Sequence, residues 1–517
     1  MINPLLQARR LGLAIEAASQ DNPQLLSGLA AAAIALLGLG YGALLGAGVP
    51  FLFLLVVPLA LIGVWLTFSL PEYAALALLG FRWGFIFDAF DQSLRIQSPS
   101  LPLAAVLLVV LAFQVARRRV ERPRFDPILL LLLIYLLYVA FGVWYATFPQ
   151  LVTDRVSDFS KDILYTLVVA FWLIRPGVLE GSVWLLVAVG GVLGTLTVFQ
   201  EVTQTYDNTY LSLARVKIAF IIEGVEDRPR AAGPVGDPNF YGQQLVVLLP
   251  LAIWWVLHAR NLLARGAAIY STLAILAGIG LTYSRGALLA VAVMGLVYVL
   301  LFKIRVRYLL FLIPLAVLAF AVAPPELKAR FGTLNEIFAG SSGGDIEAFE
   351  DNSLENRSRH VIIGLNMFLD SPIIGKSADH FKAFYIDYAI QLGLSPDNDA
   401  NRNAHNYYLE VLVEHGLIGL GLVAAMMVLC YRRFGEARRI FAGLGDQRMA
   451  DLGGFFQIGF IGYAITAIFL HGDFPRFLWL LVGIAVAFAS CARDQREAAG
   501  AALPAPAAAP RLGPTTA

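Results

Sequence analysis

Three side chains near the ends of apolar segments are candidates for catalysis or substrate binding, and the first is a histidine. His405 stands where a polar stretch, Ser395–Asn406, runs into an apolar one. An imidazole with a pKa of about 6.5 can accept a proton from an incoming hydroxyl at neutral pH. We therefore take His405 as a candidate general base. The alternative is an interfacial histidine that only hydrogen-bonds its loop, beside an ordinary aromatic belt.

Two arginines, Arg230 and Arg285, complete the set. Both are expected at the same membrane face on different spans, where they could converge on one anion. A guanidinium stays charged and binds phosphate oxygens through two parallel hydrogen bonds, which suits a pyrophosphate leaving group. The structural alternatives are a solvated loop charge for Arg230, which has Arg228 close by, and a snorkelling side chain at a helix end for Arg285.

A further pair of arginines, Arg357 and Arg359, lies in a segment whose apolar residues recur with helical spacing, 356–369. Two residues apart on a helix, they point to different faces. At most one of them is therefore expected to face a site, and the sequence does not indicate which. The other is expected to pair with the acidic residues upstream.

Metal and cofactor chemistry finds no support in these residues. Histidine, cysteine and carboxylate spacing nowhere matches a zinc site, and no phosphate-cradling glycine motif is present. The sequence His471-Gly472-Asp473, at the end of an apolar run, is interpreted as a capped turn. We expect neither a cofactor nor a metal.

The elements that must position these residues are membrane spans. Hydrophobic residues make up 58% of the 517 and charged residues 15%, with a mean hydropathy of +0.71. Soluble domains hold about 45–50% apolar and about 25% charged residues, so the composition excludes an ordinary soluble protein. A net charge of +1 gives no indication of a nucleic-acid partner. The sequence predicts an all-α, polytopic membrane protein.

About 14 apolar segments approach the roughly 20 residues that cross a bilayer. They lie near 24–47, 50–70, 72–88, 101–116, 127–147, 161–175, 179–200, 239–257, 267–283, 286–302, 307–323, 406–430, 453–471 and 475–491.

Basic clusters set the orientation, because short cytoplasmic loops carry an excess of Lys and Arg. With 14 spans and a cytoplasmic N-terminus, the clusters at 117–124, 260–265, 303–307 and 432–439 all lie inside. The segment Gly266–Phe302 has a basic cluster on each side, so it must be a hairpin. Its only polar break is Tyr283–Gly286. This places Arg285 at the outer face.

The predicted organisation has six parts. Spans in 1–200 are followed by a first periplasmic loop at 201–238, spans in 239–323, and a large periplasmic loop at 324–404. Spans in 405–491 come next. The tail at 492–517 is expected to be cytoplasmic and disordered, since it becomes rich in Ala and Pro.

Four segments of the chain, in order, resemble the motifs of the O-antigen ligase and polymerase superfamily. They are RAAG at 230–233 with DPN at 237–239, LTYSRG at 281–286, Arg357 with MFLDSPIIG at 367–375, and HNYYLE at 405–410 with EHGLIG at 414–419. The chain departs from the pattern at Val361, where an aromatic residue is usual, and after Gly375, where a second glycine is common. The resemblance covers about 230–420.

The resemblance implies a GT-C-like enzyme of the bacterial inner membrane with its active site facing the periplasm. Such an enzyme moves a glycan from undecaprenyl pyrophosphate to an acceptor hydroxyl, with inversion and without a metal. The acceptor would be lipid A–core of lipopolysaccharide, another glycan in surface-polysaccharide polymerisation, or a protein.

Residue roles follow from the same resemblance. Arg230 and Arg285 would hold the pyrophosphate, and His405 would activate the acceptor hydroxyl. Substrate contacts would come from further polar residues of the motifs: Arg357, Arg359, Asn239, Asn406 and Tyr408.

Two other classes of protein remain open from the sequence. A transporter of lipid-linked glycans would also have many spans, but its polar site should lie near the bilayer midplane. The polar residues identified here sit at span ends, which favours an enzyme. An assembly subunit of an envelope complex would need none of Arg230, Arg285 or His405.

Overall fold

The computed structural model describes residues 63, 65, 67–88, 100–117, 125–219, 228–303, 351–394, 403–472 and 476–502. The chain divides into two compact units, Met1–Leu70 and Pro71–Ala517. The elements given below all belong to the second unit. The spans expected at 24–47 and 307–323, and most of the one at 50–70, lie outside the described residues.

Helices dominate the second unit, and one short β-hairpin interrupts them. In chain order the elements are α1 Pro71–Trp83, α2 Ser100–Ala116, α3 Pro127–Phe141, α4 Pro149–Trp172, α5 Pro176–Thr203, β1 Arg215–Ala219, β2 Arg228–Gly233, α6 Pro238–His258, α7 Leu262–Leu281, α8 Arg285–Leu301, α9 Asp351–Asp370, α10 His380–Gln391, α11 Tyr407–Gly443, α12 Gln447–Thr466 and α13 Arg476–Ala502.

Seven helices in the described part of the chain are long and apolar enough to cross a membrane. They are α3 with its 3₁₀ extension to Trp144, α5, α6, α7, α11, α12 with its 3₁₀ extension to Phe469, and α13. Helices α2 and α8 are apolar but shorter. A predominantly helical, multi-pass architecture is confirmed. The total of 14 spans stays a prediction, because several of the expected segments are not among the described residues.

Two boundaries differ from the sequence prediction. Helix α4 begins at Pro149, well before the expected start at 161, and its first half carries charged residues. The last helix runs to Ala502, although we expected a disordered tail from 492. Its extension is anchored because Arg493 pairs with Glu436 of α11 at 2.7 Å and with Asp126, the N-cap of α3, at 3.4 Å.

The break expected in Gly266–Phe302 is confirmed, since the segment forms two helices, α7 and α8, that meet at Thr282–Ser284, and the membrane side of this turn stays a prediction. Helix α7 ends at Leu281, and Tyr283 adopts a positive φ of 50° between the two helices. Ser284 then caps α8, since its side chain accepts a hydrogen bond from the Ala287 backbone N–H.

The segment at 201–238 contains secondary structure that an all-α assignment omits. Strands β1 and β2 pair antiparallel, with Lys217 opposite Arg230 and Val216 opposite Ala231. The following turn passes directly into α6. This hairpin therefore joins helices α5 and α6.

Helices α9 and α10 confirm the helical interpretation of 356–369 and pack against the first turns of α11. Their shared apolar core consists of buried residues from all three helices and from the segment that precedes α11: Ile363, Met367, Phe381, Tyr385, Ala389, Ala404, Leu409 and Val413. The described part of the large loop is thus a folded layer on the helix bundle.

Helix α11 is broken at Gly416, which has φ 60° and ψ −163°. The backbone of 372–377 fills the break. The N–H groups of Lys376 and Ser377 donate to the carbonyls of Val413 and Glu414 at 2.9 and 2.8 Å, and Leu417 N–H donates to Pro372 O at 2.9 Å. A break in a helix leaves buried backbone N–H and C=O groups without their helical partners. Here the connection between α9 and α10 supplies those partners.

We predict that Gly416→Ala destabilises the protein, because this backbone conformation is essentially restricted to glycine and a Cβ would lie 2.3 Å from Ile373 O. The strain costs about 1–3 kcal/mol before the clash is added. Thermal unfolding of the purified protein should show a lower Tm.

The matched control is Gly421→Ala in the same helix, where a Cβ meets no atom within 4 Å. In a helix interior this change should stabilise by about 0.5–1 kcal/mol. Equal Tm values for the two variants would contradict the role assigned to Gly416.

Candidate active site

The first motif folds as strand, tight turn and helix start. Gly233 has φ +54°, and a Cβ there would lie 2.4 Å from the Tyr241 ring. Asp237 caps α6 by accepting hydrogen bonds from the N–H groups of Asn239 and Phe240 at 2.8 and 3.2 Å. The Arg215 guanidinium donates to Pro234 O inside the turn, and burial lowers the pKa of Arg215. The residue types of this motif therefore fix the path of the chain from β2 into α6.

Arg230 connects the first motif with the second. Its Nε donates to Thr282 O at 3.1 Å, and its Nη2 lies 3.5 Å from the Asn239 side-chain oxygen. Thr282 ends α7 and lies three residues before Arg285. The contact holds Arg230 at the tip of the α7–α8 hairpin and brings two of the predicted arginines to one region.

Arg285 is half-buried in the first turn of α8. The N-terminal turns of α6 and α8 approach closely, because a Cβ on Gly242 would lie only 3.0 Å from that of Ala287. The next residue after Arg285, Gly286, packs on Phe469 near the end of α12, where an added Cβ would meet the ring at 2.7 Å. The first turn of α8, which carries Arg285, thus contacts α6 and the segment that leads to His471.

His405 has a positive φ of 48° and comes immediately before the N-cap of α11. Asn406 caps the helix by accepting from the N–H groups of Tyr408 and Leu409, each at 3.1 Å. The His405 ring is half-buried between two other histidines. Its centroid lies 5.6 Å from that of His360 and 5.7 Å from that of His471, both edge-on.

His360 and His471 are neighbours of His405 that the sequence analysis did not identify. His360 is buried in α9 and stacks on Tyr385 at 4.8 Å, and His471 meets Phe240 of α6 edge-on at 4.8 Å. His471 therefore bridges His405 and the start of α6. The interpretation of His471 as part of a simple capped turn missed this position, which only tertiary packing creates.

The remaining predicted residues are placed as follows. Tyr408 donates from its hydroxyl to Ala464 O at 2.8 Å, which ties α11 to α12. Asn406 is the helix cap, and Asn239 is the neighbour of Arg230. Arg359 is half-buried on α9, and the side chain of Arg357 lies outside the described part of the structure.

A second set of polar residues supports the turn that carries His471. The Glu410 carboxylate accepts from the Gly472 N–H at 3.1 Å, and Arg155 donates to Gly472 O at 3.1 Å. Arg155 also pairs with Asp379, next to α10, at 3.4 Å. Charged residues inside an apolar helix are a signal for function, and Glu410 and Glu414 carry that signal in the sequence.

A cavity of about 280 Å³ opens beside this turn. Its described lining includes Tyr407 and Gly472, the neighbours of Asn406 and His471, but not Arg230, Arg285 or His405. The contacts described above connect the helix starts that carry or adjoin Arg230, Arg285 and His405. This cavity is therefore adjacent to them and distinct from them.

The architecture and these turns define a multi-pass helical membrane protein with a polar site at helix ends. Residues 270–424 match the protein-family model described as O-Antigen ligase, which confirms the resemblance inferred from the motifs. The match contains Arg285, both α9 arginines and His405, whereas Arg230 and Asn239 precede it. No match was found among curated proteins.

We predict that a Gly286→Cys/Phe469→Cys pair forms a disulfide, because a Cβ at 286 would lie 3.2 Å from the Phe469 Cβ. This is close to the roughly 3.5–4.5 Å of natural disulfides. In a background without Cys430 and Cys491, mild oxidation should protect both thiols from a polyethylene-glycol maleimide after denaturation.

The control pair is Gly295→Cys/Phe469→Cys. Gly295 lies on the same helix, and a Cβ there meets no atom within 4 Å. Protection of both pairs to the same extent would contradict the contact between α8 and the end of α12.

Proposed function

We propose that the protein is a glycosyltransferase that moves a glycan from undecaprenyl pyrophosphate to an acceptor hydroxyl at the periplasmic face of the bacterial inner membrane. The O-antigen ligase family match supports this proposal at the level of an O-antigen ligase- or polymerase-like membrane protein. The structural observation that supports the finer proposal is a set of contacts. They connect the start of α6 with the tip of the α7–α8 hairpin and with the His405–His471 pair.

The leaving group is assigned to Arg230 and Arg285. Arg230 is held by Thr282 O, and Arg285 lies in the first turn of a helix, the end at which the helix dipole favours an anion. Charge grows on the pyrophosphate as the sugar–oxygen bond breaks. Fixed guanidinium groups stabilise that charge without reorganisation. Asn239, beside Arg230, adds an amide to the same region.

The acceptor is assigned to His405. Its imidazole takes the proton of the acceptor hydroxyl while the oxygen attacks the anomeric carbon and the carbon–oxygen bond to the pyrophosphate breaks. One bond forms, one breaks, and the configuration inverts. His360 and His471 restrict the ring by contact on two sides, so His405 needs little reorganisation on binding.

Donor hydrolysis is limited by the layer formed by α9 and α10. Its connection is hydrogen-bonded into the break in α11, and Phe381 N–H donates to the Glu414 carboxylate at 3.2 Å. A fixed cover over the site would exclude water, the competing acceptor. The cover also explains why a long loop carries its own core.

The closest alternatives within this chemistry share the donor and differ in the acceptor. Ligation to lipid A–core, polymerisation of a surface polysaccharide and transfer to a protein all use the same leaving group. A glycan transporter is less consistent with the described residues, because His405 and Arg285 lie at helix starts and not at mid-helix.

We predict that His405→Ala lowers the rate of transfer by about 10²–10⁴, the usual contribution of a general base. Binding of a lipid-linked pyrophosphate donor should stay near the wild-type level. Arg230→Ala and Arg285→Ala should weaken donor binding as well as rate. Lysine at either position should restore activity only in part, because an ammonium lacks the planar fork.

These effects are measured by transfer rate and by equilibrium donor binding on purified protein. Arg265→Ala, at the other end of α7, is the charge-matched control and should change neither quantity. Full activity of the His405 variant would make its position at the helix start purely structural. Unchanged donor binding in both arginine variants would refute their assignment to the pyrophosphate.

Topology gives an independent prediction. With the proposed orientation, the 117–124 and 432–439 clusters face the cytoplasm, whereas α10 faces the periplasm. In a background without the native cysteines, Gln391→Cys should react with an impermeant maleimide in intact spheroplasts. Gln447→Cys should react only after lysis. Both positions are exposed, so the opposite pattern would refute the orientation.

A further inference from the structure

The cavity beside the His471 turn is bounded by helices α1, α3, α4, α11 and α13. Its volume of about 280 Å³ is near the lower end of the roughly 300–1,000 Å³ typical of small-molecule sites. Such a space suits a single ring with its substituents. A lipid-linked oligosaccharide is too large for it.

Part of the cavity lining is aromatic. Trp479 and Phe159 pack with ring centroids 4.8 Å apart, and Tyr135 packs on Phe159 at 5.3 Å. All three rings line the cavity, together with Tyr165 and Tyr407. Aromatic faces provide a flat apolar surface with a negative quadrupole, against which the C–H face of a sugar ring can pack.

The lining also carries basic and acidic side chains in equal number, and they are mixed with the rings, since the Arg82 guanidinium lies 4.3 Å from the centroid of the Tyr165 ring. Four basic and four acidic side chains line the cavity: Arg82, Arg155, Lys161, Arg476, Asp158, Asp162, Glu410 and Glu414. All four basic groups already have acidic partners, Arg155 through the ion pair with Asp379 described above. Arg82 pairs with Asp162 at 3.4 Å, Lys161 with Asp158 at 2.7 Å, and Arg476 with Asp88 at 2.9 Å.

This balance decides against a phosphate ligand. Glu410 is only 5% exposed, so its carboxylate is poorly screened and would repel pyrophosphate at short range. A polyhydroxyl ligand meets no such penalty. Its hydroxyls donate to carboxylates and accept from guanidinium groups, and both kinds of partner are interspersed here.

The position relates the cavity to the transfer site. Gly472 lines the cavity and directly follows His471, whose ring touches His405. Tyr407 lines it as well and lies two residues after His405. A sugar ring in the cavity would therefore sit beside the turn that holds the proposed general base.

We propose that this cavity is a subsite for one uncharged pyranose ring of a glycan substrate, with Glu410 as its central hydrogen-bond acceptor. The assignment rests on the proposed glycosyl transfer, because only a glycan substrate would bring such a ring to this place. It names a binding residue, Glu410, and a stacking surface, Trp479, that the transfer mechanism itself does not use.

The test is direct binding of free sugars to the full chain in nanodiscs. Saturation-transfer NMR with D-glucose, D-galactose and N-acetyl-D-glucosamine should show ring-proton saturation for at least one of them. Glu410→Gln keeps an oxygen for the Gly472 N–H but removes the charge, and it should weaken that binding at least about tenfold. Trp479→Phe, a milder change of the stacking surface, should weaken it less.

Glu201→Gln is the matched control. Glu201 lies at the end of α5, accepts from the Tyr206 hydroxyl at 3.0 Å, and does not line the cavity. It should bind sugars like the wild type, as should His405→Ala. Absence of saturation in the wild type, displacement of the sugar by inorganic pyrophosphate, or equal binding by the Glu410 and Glu201 variants would each overturn the subsite.

Transfer kinetics then identify the substrate that supplies the ring. A rise in the apparent KM for the acceptor glycan in Glu410→Gln, with kcat near wild type, assigns the ring to the acceptor. A rise in the KM for the lipid-linked donor assigns it to the donor. No change in either KM would overturn the subsite. Because binding is measured without turnover, sugar binding by a wild type that transfers no glycan would refute the proposed function alone.

Discussion

The break in α11 at Gly416 is the constraint on which the rest of the site depends. A helix in an apolar environment must satisfy every backbone polar group internally or through a neighbouring segment. Here the partner is the connection between α9 and α10, which supplies N–H groups to the carbonyls of Val413 and Glu414. The large loop is therefore fixed to the same helix whose first residues follow His405.

The candidate site is assembled from the starts of helices and not from their middles. Asp237, Ser284 and Asn406 cap three helices, and each cap stands next to a predicted site residue or two residues from one. Capping fixes the backbone at these points. Arg230, held by Thr282 O, then joins two of the three starts, and His471 joins the third to α6. The arrangement of the candidate site therefore follows from helix capping at three helix starts, together with a few side-chain contacts between those starts.

Parts of this arrangement follow from the sequence, and other parts need the fold. The α7–α8 hairpin could be predicted because Tyr283–Gly286 is the only polar break between two basic clusters. The strand Arg215–Ala219 was missed because its alternation is short and lies within a charged loop. The early start of α4 was missed because Arg155 and Asp158 interrupt the apolar pattern before position 161, whereas both line a polar cavity. The position of His471 beside the site could not be predicted from the sequence. It depends on packing against His405, which lies 66 residues earlier in the chain.

The hydrogen-bonded break in α11 at Gly416 also limits which sequence changes the protein can accept. Residues 372–377 are recognised there through their main chain, so the length of this stretch is constrained more strongly than most of its side chains. The outward surfaces of α9 and α10 carry no such restriction. Substitutions on this layer are therefore compatible with the hydrogen-bonded break, whereas an insertion between Pro372 and Ser377 would shift the hydrogen-bond register and detach the layer from its helix.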